Sequence, residues 1–403
     1  MEGPVNSAVD PQQPDYVAQP ALYRQDLRRY LVDQDWVHRW RSAAFDSAEE
    51  SIAHDASVLS RLYEAGWNRY GWPQSAGGLG GNEIHRAVYF EELAHAMLPI
   101  PAQHWSLEVL GPALVKFAPP LAEKCLPRYL CGAEWWAQGF SEPEAGSDLA
   151  ALRTRASDDG AGGWVFNGQK IWSSQGPTAA RLLVLARTGA PESRHRGLTM
   201  FLVDADTAGV TIRPIALASG RRELAEVFFD DARVPRERVV GEVGGGWAVT
   251  MFLMQYERGM YGYGVATKLL GQLGRLRRSI ADNGAGAADR ERFARVYVSL
   301  LAAQARSAVT VRKLASGQTV GPESSIDKLL FSRAEKDVND LIFDLQRPWL
   351  VTGENGDGAA ELDTSRAEWW YSRAATIMGG TAEIQRGIVA DHILGLPKEG
   401  RAR

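Results

Sequence analysis

Two short segments carry residue types that could hold a flat, polar ligand. The first is Gln138-Gly-Phe-Ser-Glu-Pro-Glu-Ala-Gly-Ser-Asp148. Hydroxyls at Ser141 and Ser147, with backbone N–H groups at two glycines, can hydrogen-bond a planar heterocycle or an anion. The same residues suit a capped connection, since Ser141 and Glu144 have the spacing of a capping box. The second segment is Asn167-Gly-Gln-Lys-Ile-Trp-Ser-Ser174. Asn-Gly predicts a hairpin turn, and period-two alternation puts Trp172 and Ser174 on one face of the strand that follows. An indole beside a hydroxyl suits an aromatic ligand, and serves equally well as a core tryptophan next to a surface serine.

Other chemistries lack their residues. Gly262-Tyr-Gly264 runs on to Thr267 where a dinucleotide fingerprint needs a third glycine, and it lies inside a helical pattern. Neither a P-loop nor a G-x-S-x-G elbow occurs. Cys125 and Cys131 miss zinc spacings and cannot form a disulfide framework, so both are expected reduced and buried. Glu92-x-x-His95 is a single E-x-x-H where a di-iron bundle needs two, and reads as a surface or capping pair. No metal is expected.

The elements that must position the two segments change texture twice along the 403 residues. Residues 1–20 are rich in Pro, Gln and Asp and read as a flexible arm. A 3–4 apolar spacing predicts a helical domain over 21–136, interrupted by Gly71-Trp-Pro-Gln-Ser-Ala-Gly-Gly78. A central β-domain follows over 137–243, with strands at Leu152–Ala156, Trp164–Trp172, Leu182–Arg187, Leu198–Val203, Val210–Ile215 and Glu226–Phe229. No helix-length gap separates them, which indicates an antiparallel sheet or barrel. Residues 244–403 read as a helical bundle, with helices at Trp247–Leu276, Arg290–Ser316, Ser324–Leu345 and Arg366–Leu394 and a loop at Leu350–Asp363. The fold class is therefore a multidomain α+β chain. With 45% hydrophobic and 23% charged residues and a net charge of −4, it offers no field for nucleic acid. No apolar run approaches the ~18 residues of a membrane span, and no secretion signal is apparent, so a cytoplasmic enzyme or binding protein is expected.

Taken in order, five motifs resemble the acyl-CoA dehydrogenase family. They are Gly71-Trp72-Pro73 with Gly77-Gly78, Ser141–Asp148, Asn167–Trp172, Val227-Phe-Phe-Asp-Asp-Ala-Arg-Val-Pro235, and Gly379-Gly-Thr-Ala-Glu-Ile-Gln-Arg386. The resemblance implies a helical N-terminal domain, a β-domain and a four-helix bundle, with FAD bound at a subunit interface. By motif position it implies cofactor contacts from Gln138, Phe140 and Ser141, ring packing by Trp172, and a hydrogen bond from Ser174. Thr381 and Glu383 fall on the adenosine half of FAD, and Ser147 on the CoA-pantetheine path. The implied reaction takes a proton from Cα and a hydride from Cβ of an acyl-CoA thioester, giving the 2-enoyl-CoA. Such a weak acid needs a carboxylate base in a dry pocket, because desolvation strengthens the base.

Two departures from the family pattern stand out. Many members carry the base immediately before the Gly-Thr of the last motif, where this chain has Gly379. The other family position lies on the first bundle helix, here Tyr256-Glu257-Arg258. Glu257 shares a helical face with Leu253, Met260, Tyr261 and Gly264 and is the expected catalytic base. Arg258 and the Gly379 N–H are the expected substrate contacts. The second departure is a missing Arg-x-x-Phe-Gly turn, which in many members neutralises the FAD pyrophosphate of a neighbouring subunit. Arg275, Arg277 or Arg278 takes its place, a different chain supplies the group, or the change is a neutral variation. The resemblance thus leaves a homotetramer and a heterotetramer with a related chain both open, with an electron-transferring flavoprotein as acceptor. A non-catalytic subunit and an oxidase of the same fold are the alternatives.

Overall fold

The computed structural model describes residues 14–41, 43, 45, 48–282, 286–352 and 359–397, the side chains of 278–282, 347–352 and 359–362 excepted. The N-terminal domain comprises α1 (Pro20–Asp33), α2 (Asp35–Arg41), α3 (Ala48–Glu64), α4 (Glu83–His95), α5 (Gln103–Phe117) and α6 (Pro119–Leu130). Tyr23, Leu27 and Leu31 recur every fourth residue and form the buried stripe of α1. The expected flexible arm lies outside the described residues as far as residue 13. Beyond that it is fixed: Tyr16 is buried and packs edge-on against Tyr23 and Tyr70. Glu92 is not at the surface either. It is 1% exposed and bonded by Arg24 and Arg28. Burial of a carboxylate requires such partners, and a sequence pattern does not show them.

The β-domain holds β1 (Trp136–Gly139), β2 (Arg155–Asp158), β3 (Gly163–Ser174), β4 (Arg181–Arg187), β5 (Leu198–Asp204), β6 (Val210–Ile215), β7 (Leu224–Pro235) and β8 (Val239–Val240). One sheet runs β6-β7-β3-β2-β4-β5-β8, with β1 added parallel to β4. It is mostly antiparallel. β4 is apolar on both faces because Leu183 and Leu185 meet helices α5 to α6, while Leu182, Val184 and Ala186 join an inner core with Phe166, Phe201 and Val227. Asn167-Gly168 forms no hairpin. It lies within β3 opposite a bulge in β7, where Asn167 alone faces Asp230 and Asp231, Asp231 takes φ +49° and Gly168 φ +144°. Asn167 bonds Asp231 across the strands, so the dipeptide serves a kink and not a chain reversal.

The C-terminal domain starts with α7 (Gly246–Tyr256), a π-helical turn (Glu257–Tyr261) and α8 (Gly262–Asp282). Then come α9 (Ala287–Ala315), α10 (Ser324–Thr352), α11 (Ala359–Ser372) and α12 (Ala382–His392). Val265, Leu269, Leu273 and Leu276 of α8 pack with Leu300, Phe331, Val338 and Leu341 to form the bundle core. Two expected continuous helices are broken. The first changes pitch at the π-turn, and the span Arg366–Leu394 divides into α11 and α12 around Gly379 and Gly380, both at positive φ. The expected loop at 350–363 overlaps the ends of α10 and α11, and its centre lies outside the described residues. So does the end of the 275–284 stretch; Arg275 and Arg277 lie exposed on α8.

Candidate active site

The first half of the site is built at the end of β1, where Gln138 leads into a buried Phe140 and a half-buried Ser141. Ile171 N–H donates to the Ser141 carbonyl at 2.9 Å, which ties the loop to β3. Lys170, fully buried on β3, donates to the Phe140 carbonyl at 3.1 Å and pairs with Glu142 at 2.8 Å. Glu142 also accepts from the N–H groups of Arg153 and Thr154, at 2.6 and 2.9 Å. Burial alone would raise the Glu142 carboxyl, but the Lys170 charge and these donors hold it below its ordinary value. Burial pushes Lys170 down to about 8 against the pull of Glu142. No helix follows Ser141, so the capping-box alternative fails; Glu142 and Ala145 instead close a tight turn. Ser147 is exposed beyond it, beside an Asp148–Arg194 ion pair of 2.5 Å.

A bulge in β3 itself, between Lys170 and Ser173, reverses the inward–outward parity of the strand. Lys170 and Ser173 point inward, while Trp172 is 55% exposed and Ser174 half-buried. Trp172 takes φ +64°, a strained conformation for an aromatic residue, of the kind that concentrates at functional sites. Ser174 stands beside the Tyr371 phenol of α11, where the β-domain meets the bundle.

The second half lies in the bundle. The π-turn adds a residue to the helix at Glu257, and π-turns of this kind concentrate at functional sites. Glu257 is only partly buried, but its Oε2 is enclosed and has no hydrogen-bond partner, as is Arg258 Nε. A Cβ built on Gly379 would fall inside contact distance of Glu257 Oε1. The carboxylate therefore occupies the space that any side chain at 379 would need. Burial raises the Glu257 carboxyl above its ordinary value, with Lys328 and Arg258 pulling it back. Lys328 of α10 donates to the Ala375 carbonyl at 2.8 Å. The Gln385 amide Nε2 donates back from α12 to the carbonyls of Gly379 and Gly380, at 3.3 and 3.4 Å.

The structure thus gathers Glu257, Arg258 and Gly379 in one cluster, and Phe140, Ser141, Trp172 and Ser174 in another, with Tyr371 reaching Ser174 from the bundle. Thr381 is spent as the N-cap of α12, accepting from Ile384 N–H at 3.2 Å. Glu383 is exposed and paired with Arg386 at 3.3 Å. Sequence reading missed Lys170, Glu142 and Lys328. Lys170 was detectable as a charge two residues before Trp172 in a strand of alternating burial. Lys328 was detectable as a charge on the α10 stripe that continues through Phe331 and Val338. Among the described residues no cluster could hold a metal ion, and no helix is long and apolar enough to cross a membrane. Cys125 is buried, Cys131 only partly so, and both are free.

The acyl-CoA dehydrogenase middle-domain profile matches residues 137–232, and the C-terminal-domain profile matches residues 244–394. The chain belongs to the acyl-CoA dehydrogenase family. Acyl-CoA dehydrogenase IpdE1 of Mycobacterium tuberculosis is 39% identical over 345 residues, covering 85% of this chain and 88% of that protein. Its namesake from Mycolicibacterium smegmatis is 39% identical over 399 residues, with coverage of 94% and 98%. Among solved structures, the steroid ACAD Tcur3481-Tcur3483 superposes with a TM-score of 0.79 at 26% identity, covering 97% of this chain and 100% of that one. The family is FAD-dependent. The residues here fit that group: an exposed indole held out by a bulge, two flanking serine hydroxyls and a tethered backbone loop suit a flat heterocycle with a polar edge.

Proposed function

We propose that this chain catalyses α,β-dehydrogenation of an acyl-CoA thioester to the 2-enoyl-CoA, with Glu257 as the base that takes the Cα proton. The observation that carries the reading is the enclosed, unpartnered Glu257 Oε2 of a carboxylate lodged in the space left by Gly379. A dehydrated carboxylate with a free oxygen is a stronger base than one in water, because proton uptake relieves the burial of charge. Gly379 keeps its N–H available to polarise the thioester carbonyl, and Arg258 closes the polar side of the pocket. Phe140, Ser141, Trp172 and Ser174 hold the ring of the cofactor, with Gln138 at the base of the loop. FAD, when bound, accepts the hydrogen lost from Cβ. Ser147 lies on the exposed path suited to the CoA arm, and Thr381 and Glu383 face the adenosine end.

The reading includes a tetramer, in the cytoplasm, that passes electrons to an electron-transferring flavoprotein. The likeness to a steroid ACAD with a two-part name supports pairing with a related chain and makes steroid-derived CoA esters the first substrates to try. Anaerobic mixing of the flavin-loaded protein with a panel of acyl-CoA esters tests it. Bleaching of the flavin by at least one ester, with enoyl-CoA product, is expected. A protein that takes up no FAD, alone or with a related partner chain, overturns the reading.

A further inference from the structure

Lys328 touches both parts of the bundle half. Its Nζ donates to the Ala375 carbonyl at 2.8 Å, on the turn that leads to Gly379. Its Cε lies 3.7 Å from the point where a Cβ on Gly379 would stand, the same point that Glu257 Oε1 crowds. The residue is 6% exposed, and its ammonium lies 4.8 Å from the centroid of the Phe331 ring. One carbonyl and one ring face are poor exchange for the hydration of an ammonium, so a neighbouring negative charge has to compensate. The charges that face it are Glu257 and Arg258 from the π-turn and Glu335 from its own helix. Glu257 in turn is faced by Lys328 and Arg258, with Tyr261 close by.

We propose that Lys328 is a positioning residue of this site, fixing the turn from Ala375 to Gly379 against Glu257 and supplying the positive charge that lets the Glu257 carboxylate ionise. Its functional meaning rests on the reading of Glu257 as the base. Two observations make the assignment: the hydrogen bond to the turn, and the approach of Lys328 Cε and Glu257 Oε1 to the same point beside Gly379. A lysine that merely filled space would need only its stem. Burial lowers the ammonium to about 8 and raises the carboxyl, while the charge of each opposes that shift in the other, so each partner is sensitive to the loss of the other.

The test is an infrared pH titration of the Glu257 carboxyl in the flavin-loaded protein, the band being assigned by its loss in Glu257→Gln. Removing an adjacent positive charge raises a carboxyl pKa. Lys328→Gln keeps a donor for Ala375 but loses the charge, and should move the midpoint up by roughly one unit or more. Lys328→Met should do the same, and Lys328→Arg should stay near the wild-type midpoint. The acid limb of flavin reduction by an acyl-CoA should move with it. Equal midpoints in the Gln and Arg variants overturn the proposal, because a purely structural lysine would respond to size and not to charge. If Lys328→Met fails to fold, the Gln and Arg pair decides alone. If midpoints shift as stated but Glu257→Gln still reduces flavin at the normal rate, Lys328 controls the carboxylate and the assignment of the base falls separately.

Discussion

A buried lysine stands on each side of the site, and the two carboxylates they face are treated differently. Lys170 meets a Glu142 whose oxygens are taken up by the lysine and two backbone N–H groups. Lys328 stands beside a Glu257 that has one oxygen enclosed without a partner. Burial acts on both carboxyls in the same direction, yet Glu142 ends below its ordinary value and Glu257 above it. Hydrogen bonds decide the difference. A carboxylate whose lone pairs are filled is held as an anion and can only hold other groups in place; one left unfilled retains its appetite for a proton. The β-domain half is therefore scaffold, and the bundle half is where proton chemistry is available.

The largest effect that would sharpen this contrast is kinetic. Glu257→Gln keeps size and packing, and flavin reduction should fall about 10²–10⁴-fold while flavin content and melting temperature hold. Moving the carboxylate, Glu257→Gly with Gly379→Glu, frees that volume and should restore part of the rate, less the strain of a side chain at a φ of +62°. Near-normal reduction by Glu257→Gln would break the contrast. The next effect is thermodynamic and belongs to the other half. Lys170→Met strands a buried Glu142 and should cost about 3–5 kcal/mol of stability, read by denaturant unfolding of the apo protein. The Glu142→Gln, Lys170→Met double variant should recover part of it, and a mild Lys170→Met would show that the pair is not scaffold. The smallest effect lies between the two. Trp172 is exposed, so Trp172→Ala should move apo stability by no more than about 0.5 kcal/mol. Loss of its ring contact, about 0.5–1.5 kcal/mol, should weaken FAD binding roughly 2–10-fold in a fluorescence titration.

The order of domains was legible because apolar periodicity changes from 3.6 to 2 and back, and burial enforces that pattern. What was not legible is where a local rule met a tertiary constraint. Asn167-Gly168 has the composition of a hairpin, but β3 pairs with β7 on both sides of it and the irregularity there is a bulge of Asp230-Asp231 on the partner strand. The stripe through Leu253 and Met260 read as one straight helix, since an inserted π-turn leaves both residues buried and does not disturb the apolar count. Glu92 looked like a surface charge because its partners, Arg24 and Arg28, are more than sixty residues away. Glu257 was found by motif position, whereas its closeness to Gly379 depends on a turn of two positive-φ glycines that only the folded chain displays.

The π-turn ties function to chain length as well as to composition. A π-turn holds one residue more than the α-helical turn in its place. Loss of one codon between 257 and 261 would let α7 and α8 merge into a single regular helix, with every hydrogen bond of the ladder restored. The segment before the deletion would then swing about 100° and slide about 1.5 Å relative to α8. Glu257, still present and still in a helix, would point away from the glycine turn. The placement of this carboxylate thus depends on one residue of chain length, and a single in-frame deletion at Gly259 or Met260 would undo it while leaving Glu257, Arg258, Lys328 and Gly379 in place.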